Sequence, residues 1–157
     1  MASKRVLAFD FGASSGRAIL ATYADGKIAM QEIHRFSNDP VNLCGTLYWD
    51  VQRLFFEIKQ GITKAVHQGG FDAIGIDTWG VDFGLLDAHG QLVANPVHYR
   101  DERTVGMMEK AYEKVPQQEL YDRTGIQLMR LNTVFQLVSL AENRPDLLER
   151  AETMLLM

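Results

Sequence analysis

Apolar and polar positions along the chain set out a run of short strands followed by helices. Residues 5–11 open with Val6-Leu7-Ala8-Phe9 and end in a small polar segment, the pattern of a buried strand feeding a tight connection. Residues 17–23 read as a second strand. Asp25-Gly26 is a strong hairpin signal, and 27–36 return as a third strand. Three consecutive antiparallel strands are therefore expected to open the fold. Asp50 is placed to cap a helix whose Val51, Leu54, Phe55, Ile58, Ile62, Ala65 and Val66 share one face, with Gly69-Gly70 as its stop. Trp49, one residue ahead of the cap, is placed to staple onto Leu54.

A further buried strand is expected over 73–79, and a hairpin of 83–86 with 91–94 around Asp87-Ala88-His89-Gly90. From Asp101 onward the spacing turns helical. Helices are expected over 102–115, 117–123, 133–143 and 145–151, punctuated by Pro116, Gly125 and Pro145. The last apolar run, Thr153-Met154-Leu155-Leu156-Met157, stops without a turn residue or polar exit. It reads as a buried strand cut through, so residues 1–157 are expected to be part of a larger domain. A sheet without its partners exposes edges and apolar faces, and self-association of the isolated chain is the corresponding expectation.

Composition narrows the classes of function. With 46% hydrophobic and 23% charged residues, the chain has the make-up of an ordinary globular protein. A net charge of -4 argues against a sequence-independent nucleic-acid surface, which needs a clustered basic face. Small anions remain possible ligands, because a local pocket can be positive in an acidic protein. The single cysteine, Cys44, permits no intramolecular disulfide and fits a reducing compartment. No apolar run approaches a membrane span, and residues 1–5 lead into a strand without a signal-peptide core. A cytoplasmic protein without a membrane partner is expected. His34, His67, His89 and His98 lack metal-ligand spacing and read as surface or structural residues.

Two segments carry candidate chemistry. In Asp10-Phe11-Gly12-Ala13-Ser14-Ser15-Gly16-Arg17 a strand delivers a carboxylate, then a small-residue loop with two hydroxyls, then a cation. Gly12 and Gly16 allow close approach and unusual dihedrals, and successive N–H groups of such a turn can form an anion nest. Ser14 and Ser15 add hydroxyl donors, Arg17 can neutralise phosphate, and Asp10 can hold a magnesium ion through water. The same residues also serve a plain tight hairpin. In the second segment, Thr78-Trp79-Gly80-Val81-Asp82 places an aromatic and polar groups at the end of a buried strand, as sugar sites often do. The plainer alternative makes Trp79 core and Asp82 a turn residue.

Taken in order, DFGASSGR, GIDTWGVDFGLLD, HYRDERT and YDRTGIQLMRLNTVFQL resemble the FGGY family of carbohydrate kinases over essentially the whole chain. DFGASSGR indicates the wide family, and TWGVD followed by YRDERT narrows the resemblance to the rhamnulokinases within it. Glycerol kinases carry Gln-Arg-Glu where this chain has Trp79-Gly80-Val81, which argues against glycerol. The resemblance implies an α/β fold of the ribonuclease-H-like, actin and hexokinase type, here a mixed sheet with flanking helices from the amino-terminal domain. It implies transfer of the γ-phosphoryl group of ATP to the 1-hydroxyl of L-rhamnulose with Mg2+. Gly12, Ala13, Ser14, Ser15, Gly16 and Arg17 would meet the ATP phosphates, and Asp10 the magnesium. Gly80 would meet the sugar, with Thr78, Trp79, Asp82, Tyr99 and Arg100 along the same wall. Asp101 reads equally as a helix cap. The family's catalytic base, an Asp in a His-Asp-Thr-like segment, is expected beyond residue 157, so none is assigned within the chain. Two alternatives stand beside this reading: a kinase for another ketose or deoxy sugar, and a non-catalytic sugar- or nucleotide-binding module.

Overall fold

The computed structural model describes residues 3–157, which divide into two compact units, Met1–Asp39 with Asp50–Trp79 and Pro40–Trp49 with Gly80–Met157. The first unit is a four-stranded mixed sheet with one helix. Strands β1 (Lys4–Phe11), β2 (Ser15–Ala24) and β3 (Lys27–Ser37) form the antiparallel meander expected of them. The β2–β3 turn is Asp25-Gly26 with φ of 50° and 74°, the paired positive dihedrals of a two-residue hairpin.

The pleat of β1 sends Leu7, Phe9 and Phe11 to one buried face, where Phe11 meets Phe36 of β3 at 5.3 Å between ring centroids. Helix α1 (Val51–His67) is capped by the Asp50 carboxylate, which accepts from the Arg53 N–H. It covers that face with Leu54, Glu57, Gly61 and Ala65. The buried stripe is thus rotated from the expected one, and Phe55 and Val66 are exposed. The rotation follows from Gly61: a Cβ there would lie 2.6 Å from the Phe9 ring and 3.0 Å from Ala18 Cβ, so the helix seats at its one side-chain-free position. Glu57 is buried with it and is satisfied by His34 Nε2 at 2.6 Å and Arg53 Nε at 2.5 Å. Lys64 Nζ stands 2.9 Å from His34 Nδ1, and since an ammonium can only donate, Nε2 carries the hydrogen given to Glu57.

In the second unit, β4 (Val41–Leu43) and β5 (Thr46–Tyr48) form a hairpin about Cys44-Gly45, both at positive φ. In the first unit, β6 (Ala73–Asp77) runs parallel to β1 and ends two residues short of the expected strand. It is the sheet's edge, order β3-β2-β1-β6, and is exposed rather than buried. Back in the second unit, β7 (Phe83–Leu86) pairs antiparallel with β8 (Thr153–Leu156). The terminal run is therefore a strand, as expected, but it lies exposed. The expected partner strand over 91–94 is reduced to a bridge from Leu86 to Leu92, with the Val93 N–H donating to Leu85 O at 2.9 Å on the edge of β7 opposite β8.

The helix expected over 102–115 is broken. A 3₁₀ turn, Glu102–Thr104, is followed by extended Val105 and left-handed Gly106 at φ 75°, and α2 begins only at Met107. Helices α2 (Met107–Tyr112), α3 (Gln117–Thr124), α4 (Thr133–Asn143) and α5 (Pro145–Glu149) complete the chain. Phe135 of α4 packs with Met107 and Ala111, while Leu140 packs with Phe83 and Leu85. Among the described residues no helix is long and apolar enough to cross a membrane.

The seat of α1 makes a prediction of sign. Glycine to alanine inside a helix ordinarily gains about 1 kcal/mol. At Gly61 the new methyl meets a Phe9 ring that is 1% exposed, and overpacking of this kind costs ~1–3 kcal/mol. Gly61→Ala is expected to lower the urea midpoint; a raised midpoint would show that the helix lifts off the sheet at no cost.

Candidate functional site

The β1–β2 connection is a short loop, Gly12 to Ser14, closed by the Gly12 N–H donating to Ser15 O at 2.9 Å. Neither Gly12 nor Gly16 takes a positive φ, so unusual dihedrals are not why glycine stands there. The reason is space. A Cβ on Gly16 would lie 2.1 Å from the Phe36 ring, and one on Gly12 would lie 3.0 Å from Ser15 O. One N–H expected to face an anion, that of Gly12, is used inside the turn. Ser14 is exposed, and Ala13 and Ser15 are half-buried.

Asn38, just past β3, braces this loop, and nothing in the sequence singled it out. It is buried, donates Nδ2 to Gly12 O at 2.8 Å, and its own N–H donates to Ser14 O at 3.0 Å. Both bonds take loop carbonyls, which turns acceptor groups inward and suits the loop to an anionic partner. The available signal was an Asn closing a strand, a common turn residue with no chemistry of its own.

Register then lines up charge on one sheet face. Asp10 lies opposite Arg17 on β2 and Asp77 on β6, and Arg17 lies opposite Arg35 on β3. Residues directly opposite share a face, here the one turned away from α1, because Phe9 and Phe11 occupy the other. Arg17 Nε is 2.9 Å from Asp10 Oδ2, off the line of a hydrogen bond, so charge attraction joins them. Arg35 is held by both oxygens of Glu32, at 2.9 and 2.5 Å, and keeps that carboxyl below its usual value by hydrogen bonding. Asp10 and Arg17 are both half-exposed.

The candidate sugar residues are divided between the two units. Thr78, exposed, and Trp79, half-buried, end the first unit. In the second, Gly80 is exposed with open space where a Cβ would stand. Asp82 has no exposed surface; its Oδ2 accepts from Trp49 Nε1 at 2.6 Å and from the Tyr99 N–H at 3.3 Å, and its Oδ1 from Gln136 Nε2 at 3.0 Å. Trp49, read as a helix staple, donates its indole N–H into this network. His98, 1% exposed, lies between Trp49 and Tyr99 with ring centroids at 4.0 and 4.5 Å, and its Nδ1 accepts the Arg100 N–H at 3.0 Å. The Arg100 guanidinium rests 5.3 Å over the Tyr99 ring. Gly80, Asp82, Tyr99 and Arg100 are therefore joined through one turn and one aromatic stack. Asp101 does cap, its Oδ1 accepting from the Arg103 N–H, while its Oδ2 takes the Leu47 N–H. A cavity of about 340 Å³ in the same unit has Arg103, Asp101 and Ser139 on its polar side and Phe83, Leu85 and Leu140 on its apolar side.

Residues 5–157 match the N-terminal domain of the FGGY family of carbohydrate kinases. The chain is 45% identical over 159 residues to a rhamnulokinase of Klebsiella pneumoniae (strain 342), covering 99% of this chain and 33% of that protein. It is 44% identical over 151 residues to a rhamnulokinase of Oceanobacillus iheyensis, covering 96% and 32%. The chain thus spans about a third of the length of these curated relatives. Its fold is similar to a gluconate kinase from Lactobacillus acidophilus at a TM-score of 0.82, with 16% identity over 98% of this chain and 31% of the other. A xylulose kinase from the same organism gives 0.80, with 17% identity over 96% and 31%. These solved structures share the α/β fold with its mixed sheet, as the sequence implied.

Burial lowers the pKa of His98 from its ordinary 6.5, against the opposing pull of Asp82 and Asp101. The ring is harder to protonate in the fold than in the unfolded chain. Its contribution to stability is full above pH 6.5 and is lost as pH falls through that value toward the lower folded one. Urea midpoints measured at pH 8 and pH 5.5 are expected to fall toward acid in the native chain and to fall less in His98→Gln. Equal slopes for the two would mean the ring titrates as it does in water.

Proposed function

The chain belongs to the FGGY family of carbohydrate kinases, and on that footing we propose that it supplies the phosphate-gripping and sugar-facing walls of a kinase that phosphorylates L-rhamnulose at its 1-hydroxyl. What carries the sugar class is Gly80, an open backbone position two residues ahead of the Asp82 that holds the Tyr99 N–H, where a hydroxylated ligand can lie against the main chain. What supports L-rhamnulose in particular is identity of 42–45% to proteins named rhamnulokinase. The phosphate end is the braced loop at Gly12 to Ser14 with Arg17, whose guanidinium can exchange part of its attraction to Asp10 for a phosphate oxygen.

Phosphoryl transfer needs positioning, neutralised charge and a group to take the hydroxyl proton. For Mg2+, Asp10 and its register neighbour Asp77 offer hard oxygen donors on one face. Among the described residues no group of three or more His, Cys, Asp or Glu could hold a metal. A magnesium ion would accordingly be held by Asp10, with water and nucleotide phosphates making up the remainder of its oxygen ligands. It would supply charge neutralisation, while Arg17 adds a fixed cation from the protein. Asp82 is unsuited as the base, being fully buried with both oxygens engaged. Asp10 is taken as the magnesium partner and not as the base. The base is accordingly proposed to lie outside these residues, in a cytoplasmic enzyme of which they form one part.

The test is a coupled ATP-consumption assay with L-rhamnulose and Mg2+, run on this chain and on one extended to the full length of its relatives. Turnover is expected of the extended chain. In it, Gly80→Ala should raise the KM for L-rhamnulose roughly tenfold while leaving that for ATP unchanged, because the methyl enters open space and strains nothing. Arg17→Ala should do the reverse, with a loss of about tenfold to a hundredfold, as suits one charged hydrogen bond. Turnover by the short chain alone would overturn the placement of the base, and no turnover by either would remove L-rhamnulose.

A further inference from the structure

Between the open Gly80 and the buried Asp82 the backbone turns sharply. The Asp82 N–H donates to Gly80 O at 3.0 Å, and Val81 between them stands at φ 71°. This is a γ-turn of the rare, strained hand, and a β-branched residue is among the least suited to it. Glycine would adopt it freely. A residue persists in such a conformation when its surroundings over-determine it, and such places gather at ligand sites.

The surroundings are specific. Thr133 Oγ1 at the start of α4 donates to Val81 O at 2.8 Å, and Gln136 Nε2, one turn on, reaches the same oxygen at 3.2 Å. Gln136 cannot turn its amide round, because Arg103 donates a guanidinium N–H to its Oε1 at 2.6 Å. Its Nε2 must therefore face the acceptors, Val81 O, Leu131 O and Asp82 Oδ1. Asp82 then passes the restraint to a second element by accepting the Tyr99 N–H. One buried cluster fixes both the open backbone at Gly80 and the aromatic at Tyr99.

Resting on the reading of this wall as the sugar side, we propose that Thr133, Gln136 and Asp82 are positioning residues that lock the Gly80–Val81–Asp82 turn in its strained form. The sugar meets the result of that lock, Gly80 and Tyr99, and does not touch the Asp82 carboxylate. Asp82 thus moves from the candidate contacts to the groups behind them.

The 157-residue chain labelled with 15N allows the test, with Thr133→Val, Thr133→Ser and Asp82→Asn compared against the native chain. Thr133→Val removes one donor at nearly constant shape and is expected to move the amide signals of Gly80, Val81 and Asp82, while Thr133→Ser restores them. Asp82→Asn is expected to move the Tyr99 amide and the Trp49 indole N–H as well. In titrations with L-rhamnulose, Thr133→Val should bind about tenfold more weakly and Thr133→Ser within twofold of native, a recovery that loss of fold would not give. Unmoved turn amides in both Thr133→Val and Asp82→Asn would overturn the lock. Moved amides with unchanged sugar affinity would overturn its role in recognition. A native chain that ignores L-rhamnulose counts against the sugar reading alone, since the amide signals judge the lock without ligand.

Discussion

A carboxylate without exposed surface has to find its hydrogen bonds within the protein, and the candidate sugar wall is arranged around that requirement at Asp82. Donors reach it from separated stretches, among them the indole of Trp49 after β5, the backbone of Tyr99 and the amide of Gln136 on α4. Each donor is itself constrained. Trp49 is buried against His98, and Gln136 is oriented by Arg103. The negative charge of Asp82 and the positive charge of Arg103 stand on opposite ends of one glutamine amide, so neither is isolated in the interior. Burial lowers the Arg103 pKa while nearby Asp101 and Asp82 raise it, a balance that leaves a guanidinium charged in any ordinary buffer. Removing one member would strand the others, which is why such networks are costly to breach and specific about geometry.

The first unit solves the same problem at a different place. Glu57 points into the interface between α1 and the sheet, where an apolar residue would have been the simpler choice. It is bridged to His34 of β3 and Arg53 of its own helix, with Lys64 closing the far side of the imidazole. The effect is to fix the angle at which α1 crosses the sheet, since the hydrogen bonds are directional where hydrophobic contact is not. That face of the sheet is thereby closed, and the row Arg35, Arg17, Asp10 and Asp77 is left on the opposite face beside the loop.

Much of this was legible from the chain alone, and the failures have physical reasons. Strong local signals gave β1 to β3, the Asp25-Gly26 turn, the Asp50 cap and the helices from Gln117 onward. The β4–β5 hairpin was missed because Cys44 is no usual occupant of a left-handed turn position, and two three-residue strands hold little periodicity. The break at Gly106 was missed because the apolar spacing continues across it, and the stop comes from Asp101 capping a turn that ends at Val105. The rotated stripe of α1 reflects Gly61 and Glu57, one with no side chain and one polar, neither of which an apolar count selects as core. At the candidate site, motif reading found the loop and the turn. It could not find Asn38, Gln136 or Thr133, because a residue that braces others is defined by distance in space and has no spacing rule of its own.

Glycine usage shows how the site gains its rigidity. In the surface turns glycines do take positive φ, as at Gly26, Gly45 and Gly90, and there the backbone's freedom is the point. At the candidate loop, Gly12 and Gly16 have ordinary dihedrals; Phe36 leaves no room for a side chain at Gly16, and the loop's own carbonyl crowds one at Gly12. Opposite them in logic is Val81, where the conformation calls for glycine and the chain has a β-branched residue instead. A glycine at 81 would leave the turn many alternatives; a valine leaves it few, so that once Thr133 and Gln136 hold the carbonyl the turn has one arrangement. The candidate loop and the Gly80–Asp82 turn each derive their shape from packing and side-chain hydrogen bonds within their own unit. Backbone held in this way does not have to be ordered when a ligand binds, which lowers the entropic cost of binding.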